Sequence, residues 1–165
     1  YTLCPTCYTH CVMDGATLLQ HLNSIPSLNN CHLELFASND VWCAPPKLPS
    51  LFIINTGYSQ QSGEHYISFY MHKDMSVTFF DSYGLPPYSC VINFFKKHSF
   101  KPVRYNTRLL QSPFSDVCGL YQIAFAAFIS SGINLRGFLH RFTDDYDIND
   151  KHIRDFVSSI VDLDK

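Results

Sequence analysis

No apolar stretch in this chain approaches the roughly 20 residues a helix needs to span a bilayer, so no membrane-spanning helix is expected. A signal-peptide pattern is also missing, and the chain starts at Tyr1 rather than Met, as a fragment or processed piece would. Charge is sparse. Only 16% of residues are Asp, Glu, Lys or Arg, and the formal net charge is -2 with a pI near 6.4. That balance argues against nucleic acid as an obligatory partner. The basic cluster Lys96, Lys97, Lys101 and Arg104 reads as a solvated helix end and loop. There is no internal repeat and no low-complexity tract. The density of a secreted disulfide scaffold is lacking too, since the seven cysteines are odd in number and unevenly spread. With no signal peptide, they point to a reducing compartment, where a catalytic thiolate survives.

What is present is the material of one globular domain. The chain has 165 residues, 46% hydrophobic and 15% aromatic, enough for a core lined with Phe and Tyr. Residues 1–11 form a cysteine-rich lead. Asp14 to Asn23 reads as a short helix capped by Asp14 and closed before Pro26. After the Pro-rich loop 38–50, Leu51 to Asn55 is of strand type, and 56–64 is a polar loop with Gly57 and Gly63. Tyr66 to His72 and Ser76 to Phe80 read as two strands joined at Lys73-Asp74. Tyr88 to Lys97 reads as an amphipathic helix with Val91, Ile92, Phe94 and Phe95 inward. Val103 to Tyr105 is a strand, Cys118 to Ser130 a buried helix, and Asn134 to Phe142 and Asn149 to Val161 two more helices. Mixed strands followed by helices give an α+β class: a central mixed sheet packed by helices.

Cys118 stands at the start of the apolar run Leu120 to Ile129. A thiol in the first turn of a helix feels the positive end of the helix dipole, which favours thiolate, the nucleophilic form. Such a group needs a base, a residue that orients the base, and oxyanion donors. His65 is the candidate base, at the exit of a Gly-bearing loop and the entrance of a strand. Asp81 ends the next strand. In an antiparallel hairpin the start of one strand lies beside the end of its partner, so these two are expected neighbours. Gln111, seven residues before the thiol, is placed to donate to the same oxyanion as the Cys118 N–H.

Cys4, Cys7, His10 and Cys11 are metal-ligand types, and Cys4-x-x-Cys7 has structural-zinc spacing. The crowding of the remaining pair favours an incidental reduced cluster instead, so no metal and no cofactor is expected. Cys31, Cys43 and Cys90 read as small core or loop residues, and Trp42 as a packing anchor.

The order His, Asp, Gln, Cys lies within the strings Glu64-His65-Tyr66, Phe80-Asp81-Ser82-Tyr83-Gly84 and Gln111-Ser112-Pro113-Phe114-Ser115-Asp116-Val117-Cys118-Gly119-Leu120-Tyr121. It resembles the adenovirus-protease (adenain) family, a cysteine peptidase group that includes the proteases for ubiquitin-like proteins. The Gln-to-Cys spacing is similar to that of the adenoviral branch, which includes proteases of Maverick/Polinton-type mobile elements.

The resemblance implies that Cys118 is the nucleophile, His65 the general base and Asp81 its orienting acid. Gln111 and the Cys118 N–H would form the oxyanion hole, and Gly119 would leave the helix start open to substrate. It implies residues 31–165 as the protease domain, with 1–30 a lead and short helix set apart from it. It further implies a monomer that cleaves viral or mobile-element precursor proteins at small, Gly-containing sites, inside the host nucleus or virion. The alternatives are an isopeptidase for ubiquitin-like proteins, a triad-using acetyltransferase and a non-catalytic binding module.

The chain departs from the family at three points. Tyr66 replaces the usual Trp after the His, so altered packing is expected there. Asp81 stands where adenain has Glu. Phe100 occupies about the place of the cysteine that links adenain to its activating peptide, and Cys90 lies well upstream, so the cysteine positions do not support a peptide activator.

Overall fold

A computed structural model describes residues 13–38, 40–41, 47–57 and 65–163. The element order is α1 (Gly15–Asn23), a 3-10 turn (Pro26–Leu28), β1 (His32–Ala37), β2 (Ser50–Asn55), β3 (Tyr66–Met71), β4 (Val77–Phe80), α2 (Ser89–Lys97), β5 (Val103–Tyr105), α3 (Cys118–Ser130), α4 (Leu135–Leu139) and α5 (Tyr146–Ile160). The strands form one five-stranded sheet in sequence order. Its outer pairs, β1 with β2 and β4 with β5, are parallel, and β2–β3 and β3–β4 are antiparallel. The expected α+β class, a mixed sheet packed by helices, is what the chain adopts.

Period-two alternation divides the core between the two faces of this sheet. Leu51, Ile53, Tyr66, Tyr70 and Phe80 face α1, α3, α4 and α5. Phe52, Ile54, Ile67, Phe69, Met71, Val77 and Phe79 face α2. Because both faces are covered, β2, β3 and β4 read as near-continuous apolar runs. The helix α3 is buried on nearly every side, which suits its apolar composition all round. Phe125 of α3 stacks on Phe80 at 4.9 Å between ring centroids.

Several boundaries and faces differ from the sequence reading. β1 was not anticipated; it is a half-buried edge strand whose short, mixed string gives little periodic signal. Ile92 is 37% exposed rather than inward, because Val91, Phe94 and Phe95 alone span the buried stripe of α2. Ile160, at the end of the last helix, is 39% exposed. That helix starts earlier than expected, because the Asp145 carboxylate caps it by accepting from Asp147 N and Ile148 N. Asn149 and Asp150 therefore lie within its first turns. Asp14 caps α1 as expected, accepting from Thr17 N at 2.8 Å. Residues 13–30, grouped with the lead by sequence, supply Leu18, Leu22, Ile25 and Leu28 to the core shared with α3. Cys4, Cys7, His10, Cys11, Trp42 and Cys43 lie outside the described residues.

Candidate active site

The β3–β4 hairpin builds the first part of the site. Its register pairs Ser68 with Phe80, so His65 enters β3 where Asp81 leaves β4. Thr56 N donates to His65 O at 2.8 Å, which fixes the entry from β2 as well. His65 Nε2 lies 2.8 Å from Asp81 Oδ1, and both side chains are buried. Pairing with a carboxylate puts the proton on Nε2 and leaves the lone pair on Nδ1. The same hairpin end brings Tyr83 over His65, and the two rings stack at 4.5 Å. The His65 ring is thus held by a hydrogen bond at one edge and an aromatic face at its side.

Asp81 is itself anchored. Its Oδ1 also accepts from Tyr83 N at 2.8 Å. Asp81 N donates to Asn106 Oδ1, and Asn106 Nδ2 donates back to Asp81 O at 2.6 Å. Asn106 follows β5, so the outer parallel strand helps to fix Asp81. A buried carboxylate is tolerable only when it is paired in this way.

Gln111 is joined to the same turn. Its N–H and that of Leu110 donate to Ser82 O, and the Ser82 hydroxyl donates to Gln111 Oε1 at 2.7 Å. Gln111 Nε2 donates to Ser115 O at 3.0 Å. An amide NH2 has two donors, so a second N–H remains beyond the one given to Ser115.

Cys118 is the first residue of α3, 3% exposed, and not in a disulfide. One helical turn on, Gln122 is wholly buried, donates to Tyr66 O at 2.8 Å and accepts from the Ser68 hydroxyl at 2.6 Å. Residues four apart share a helix face, and each Cβ tilts toward the N-terminus. Gln122 therefore pins the face of α3 that carries Cys118 against the entrance of β3, beside His65. A lone amide inside an apolar helix is the sequence signal for Gln122. Ser82 and Asn106 gave none, since a Ser in a turn and an Asn after a strand are commonplace.

Gly119 does not open onto free space. A Cβ there would stand 3.3 Å from Met13 Sδ, so the expected opening to substrate is occupied by the segment leading into α1. Tyr66 is buried in the core. His72 Nε2 lies 2.9 Å from Thr78 Oγ1. Among the described residues no group of His, Cys, Asp and Glu is placed to hold a metal, and no helix is long and apolar enough to cross a membrane.

This architecture is shared with a solved structure. A crystal structure of the ASFV pS273R protease superposes with a TM-score of 0.59 at 14% identity, covering 90% of this chain and 68% of that one. A selenomethionine crystal structure of the same protease gives 0.49 at 19% identity, over 67% of this chain and 44% of that one. No family model and no curated protein matches by sequence. At such low identity the likeness is one of fold, and the fold is the adenain-like one.

Proposed function

We propose that this chain is a cysteine endopeptidase. The observation that carries the reading is the buried His65–Asp81 pair, at 2.8 Å, beside the helix that begins with Cys118. The shared fold with a protease adds support. In this mechanism His65 Nδ1 takes the thiol proton as Cys118 Sγ attacks the scissile carbonyl. The Cys118 N–H and the second N–H of Gln111 receive the oxyanion. His65 then gives its proton to the leaving amine, and an acyl-enzyme remains. Water, deprotonated by His65, releases the acid and restores the thiol. Asp81 holds the imidazole tautomer throughout.

The substrates proposed are viral or mobile-element precursor proteins cut at small, Gly-containing sites. The test offers capsid-type precursors and Gly-containing peptides beside fluorogenic ubiquitin-like conjugates. Cleavage of the first group, blocked by iodoacetamide, is expected. Selective turnover of the ubiquitin-like conjugates would replace this reading with the isopeptidase one, and no turnover of any would remove it.

Asp81 gives a graded prediction. Asp81→Asn keeps an acceptor for His65 and for Tyr83 N–H, whereas Asp81→Ala keeps neither. The alanine variant should lose about 100-fold or more in kcat, within the range of acid–base contributions, and the asparagine variant clearly less. Equal rates for the two would deny Asp81 an orienting role.

A further inference from the structure

The loop from Leu110 to Val117 is gripped by α5 at a point that acid–base chemistry does not explain. Asn149 and Asp150 are both buried, at 1% and 7% exposure. Asn149 Nδ2 donates to Leu110 O at 3.1 Å and to Thr143 O at 2.9 Å. Its Oδ1 accepts from Thr143 N at 2.8 Å, so every polar atom of this amide is engaged. Asp150 receives Ser112 N–H between its two oxygens, at 3.4 and 3.3 Å. The Tyr121 hydroxyl bridges the pair, 3.0 Å from Asp150 Oδ1 and 3.1 Å from Leu110 O.

The geometry matters because of what lies between these contacts. Leu110 O belongs to the peptide plane before Gln111, and Ser112 N to the plane after it. With both planes held from α5, the backbone torsions of Gln111 are restrained from either side. Its side chain is then aimed by Ser82 and Ser115. Tyr121 lies one turn from Cys118 on α3, so the same contacts tie the nucleophile helix to the Gln111 loop. We infer that Asn149 and Asp150 are positioning residues that hold the Gln111 amide where the oxyanion forms. The inference rests on the peptidase reading above.

The chemistry of Asp150 fits a brace more than a charge. Burial pushes its carboxyl up from the ordinary carboxylate range, outweighing the hydrogen bonds from Ser115, Tyr121 and Ser112 and the nearby Arg154 guanidinium. Arg154 is itself directed at Asp116, 3.1 Å away. A neutral amide at this position retains an acceptor for Ser112 N–H and a donor for the Tyr121 oxygen, which frees the Tyr121 proton for Leu110 O.

The experiment compares Asp150→Ala, Asn149→Ala and Asp150→Asn with the wild type. Peptide turnover needs the oxyanion hole, and alkylation of Cys118 by iodoacetamide does not. Asp150→Ala and Asn149→Ala should lower kcat about 10- to 100-fold, less than outright loss of an oxyanion donor, with KM nearly unchanged. Site-resolved alkylation of Cys118 should stay within about twofold of wild type, because the thiol and imidazole are untouched. Asp150→Asn should recover most of the lost rate.

If Asp150→Ala does not fold, Asn149→Ala makes the same comparison, since Tyr121 still reaches Leu110 O. A parallel fall in alkylation, or wild-type kcat in both alanine variants, would overturn the inference. Should the wild type itself cleave nothing, the peptidase reading fails instead. Amide exchange at Ser112 then decides the brace: faster exchange in Asp150→Ala but not in Asp150→Asn supports it, and equal exchange removes it.

Discussion

Replacing Cys118 by alanine should bring peptide turnover down to background, a loss of at least about 10⁴-fold in kcat. The reason is chemical. In the proposed mechanism the acyl intermediate would form on Sγ, and neither His65 nor Gln111 could substitute for it. The structural cost is small by comparison. Cys118 is 3% exposed at the edge of the core, and its replacement removes one sulfur atom, for about 1 kcal/mol or so of lost packing. A thermal melt near that of wild type, together with lost turnover, separates the two effects. Alkylation supplies a second readout. Cys31 and Cys90 are also free thiols, so the modified residue must be identified by peptide mapping. Burial pushes the Cys31 thiol up to about 11, which keeps it protonated and slow at neutral pH. Cys118 should therefore be labelled before Cys31. More than a few per cent of wild-type turnover in the alanine variant would mean that the thiol is not the nucleophile.

The second large effect falls on a residue with no side chain. Gly84 has φ +71° and closes the turn after β4, donating from its N–H to Asp81 O at 2.9 Å. A Cβ there would sit 2.6 Å from both the carbonyl carbon and oxygen of Arg108. Those are backbone atoms and cannot swing aside. Arg108 is further tethered, since its guanidinium donates to Phe142 O and Thr143 O. Gly84→Ala therefore combines a left-handed backbone, at about 1–2 kcal/mol, with overpacking of about 1–3 kcal/mol.

For a domain of this size the melting temperature should fall by on the order of 10 °C. Gly132 is the internal control. It has φ +87°, but a Cβ there would meet nothing within 4 Å. Gly132→Ala should lose only the backbone part, a few degrees. Similar losses in the two variants would show that the Gly84–Arg108 approach is not what the turn depends on. Turnover should also drop in Gly84→Ala, because the same turn carries Asp81 and Ser82, and through them His65 and Gln111.

The legible part of this protein was local. An apolar stretch too long for a strand announced α3, and Cys118 at its start was a reactive candidate from position alone. A hairpin read from two strand-type runs and a short polar turn was enough to expect His65 beside Asp81. Asp14 and Pro26 bounded α1. These features depend on residues within a few positions of each other, where capping, periodicity and strand register act directly.

What the tertiary structure decided is everything reached by a donor or acceptor from far along the chain. Asn106 holds Asp81 across 25 residues, Ser82 holds Gln111 across 29, and Gln122 reaches Tyr66 across 56. Asn149 and Asp150 grip the Gln111 loop from a helix whose start the sequence misplaced. Buried polar groups must find partners, but composition does not say which ones. That choice is made when the helices settle on the sheet and bring distant amides, hydroxyls and carboxylates within hydrogen-bond reach. The sequence by itself therefore determined which residues could carry the chemistry, and the packing determined what holds them in place.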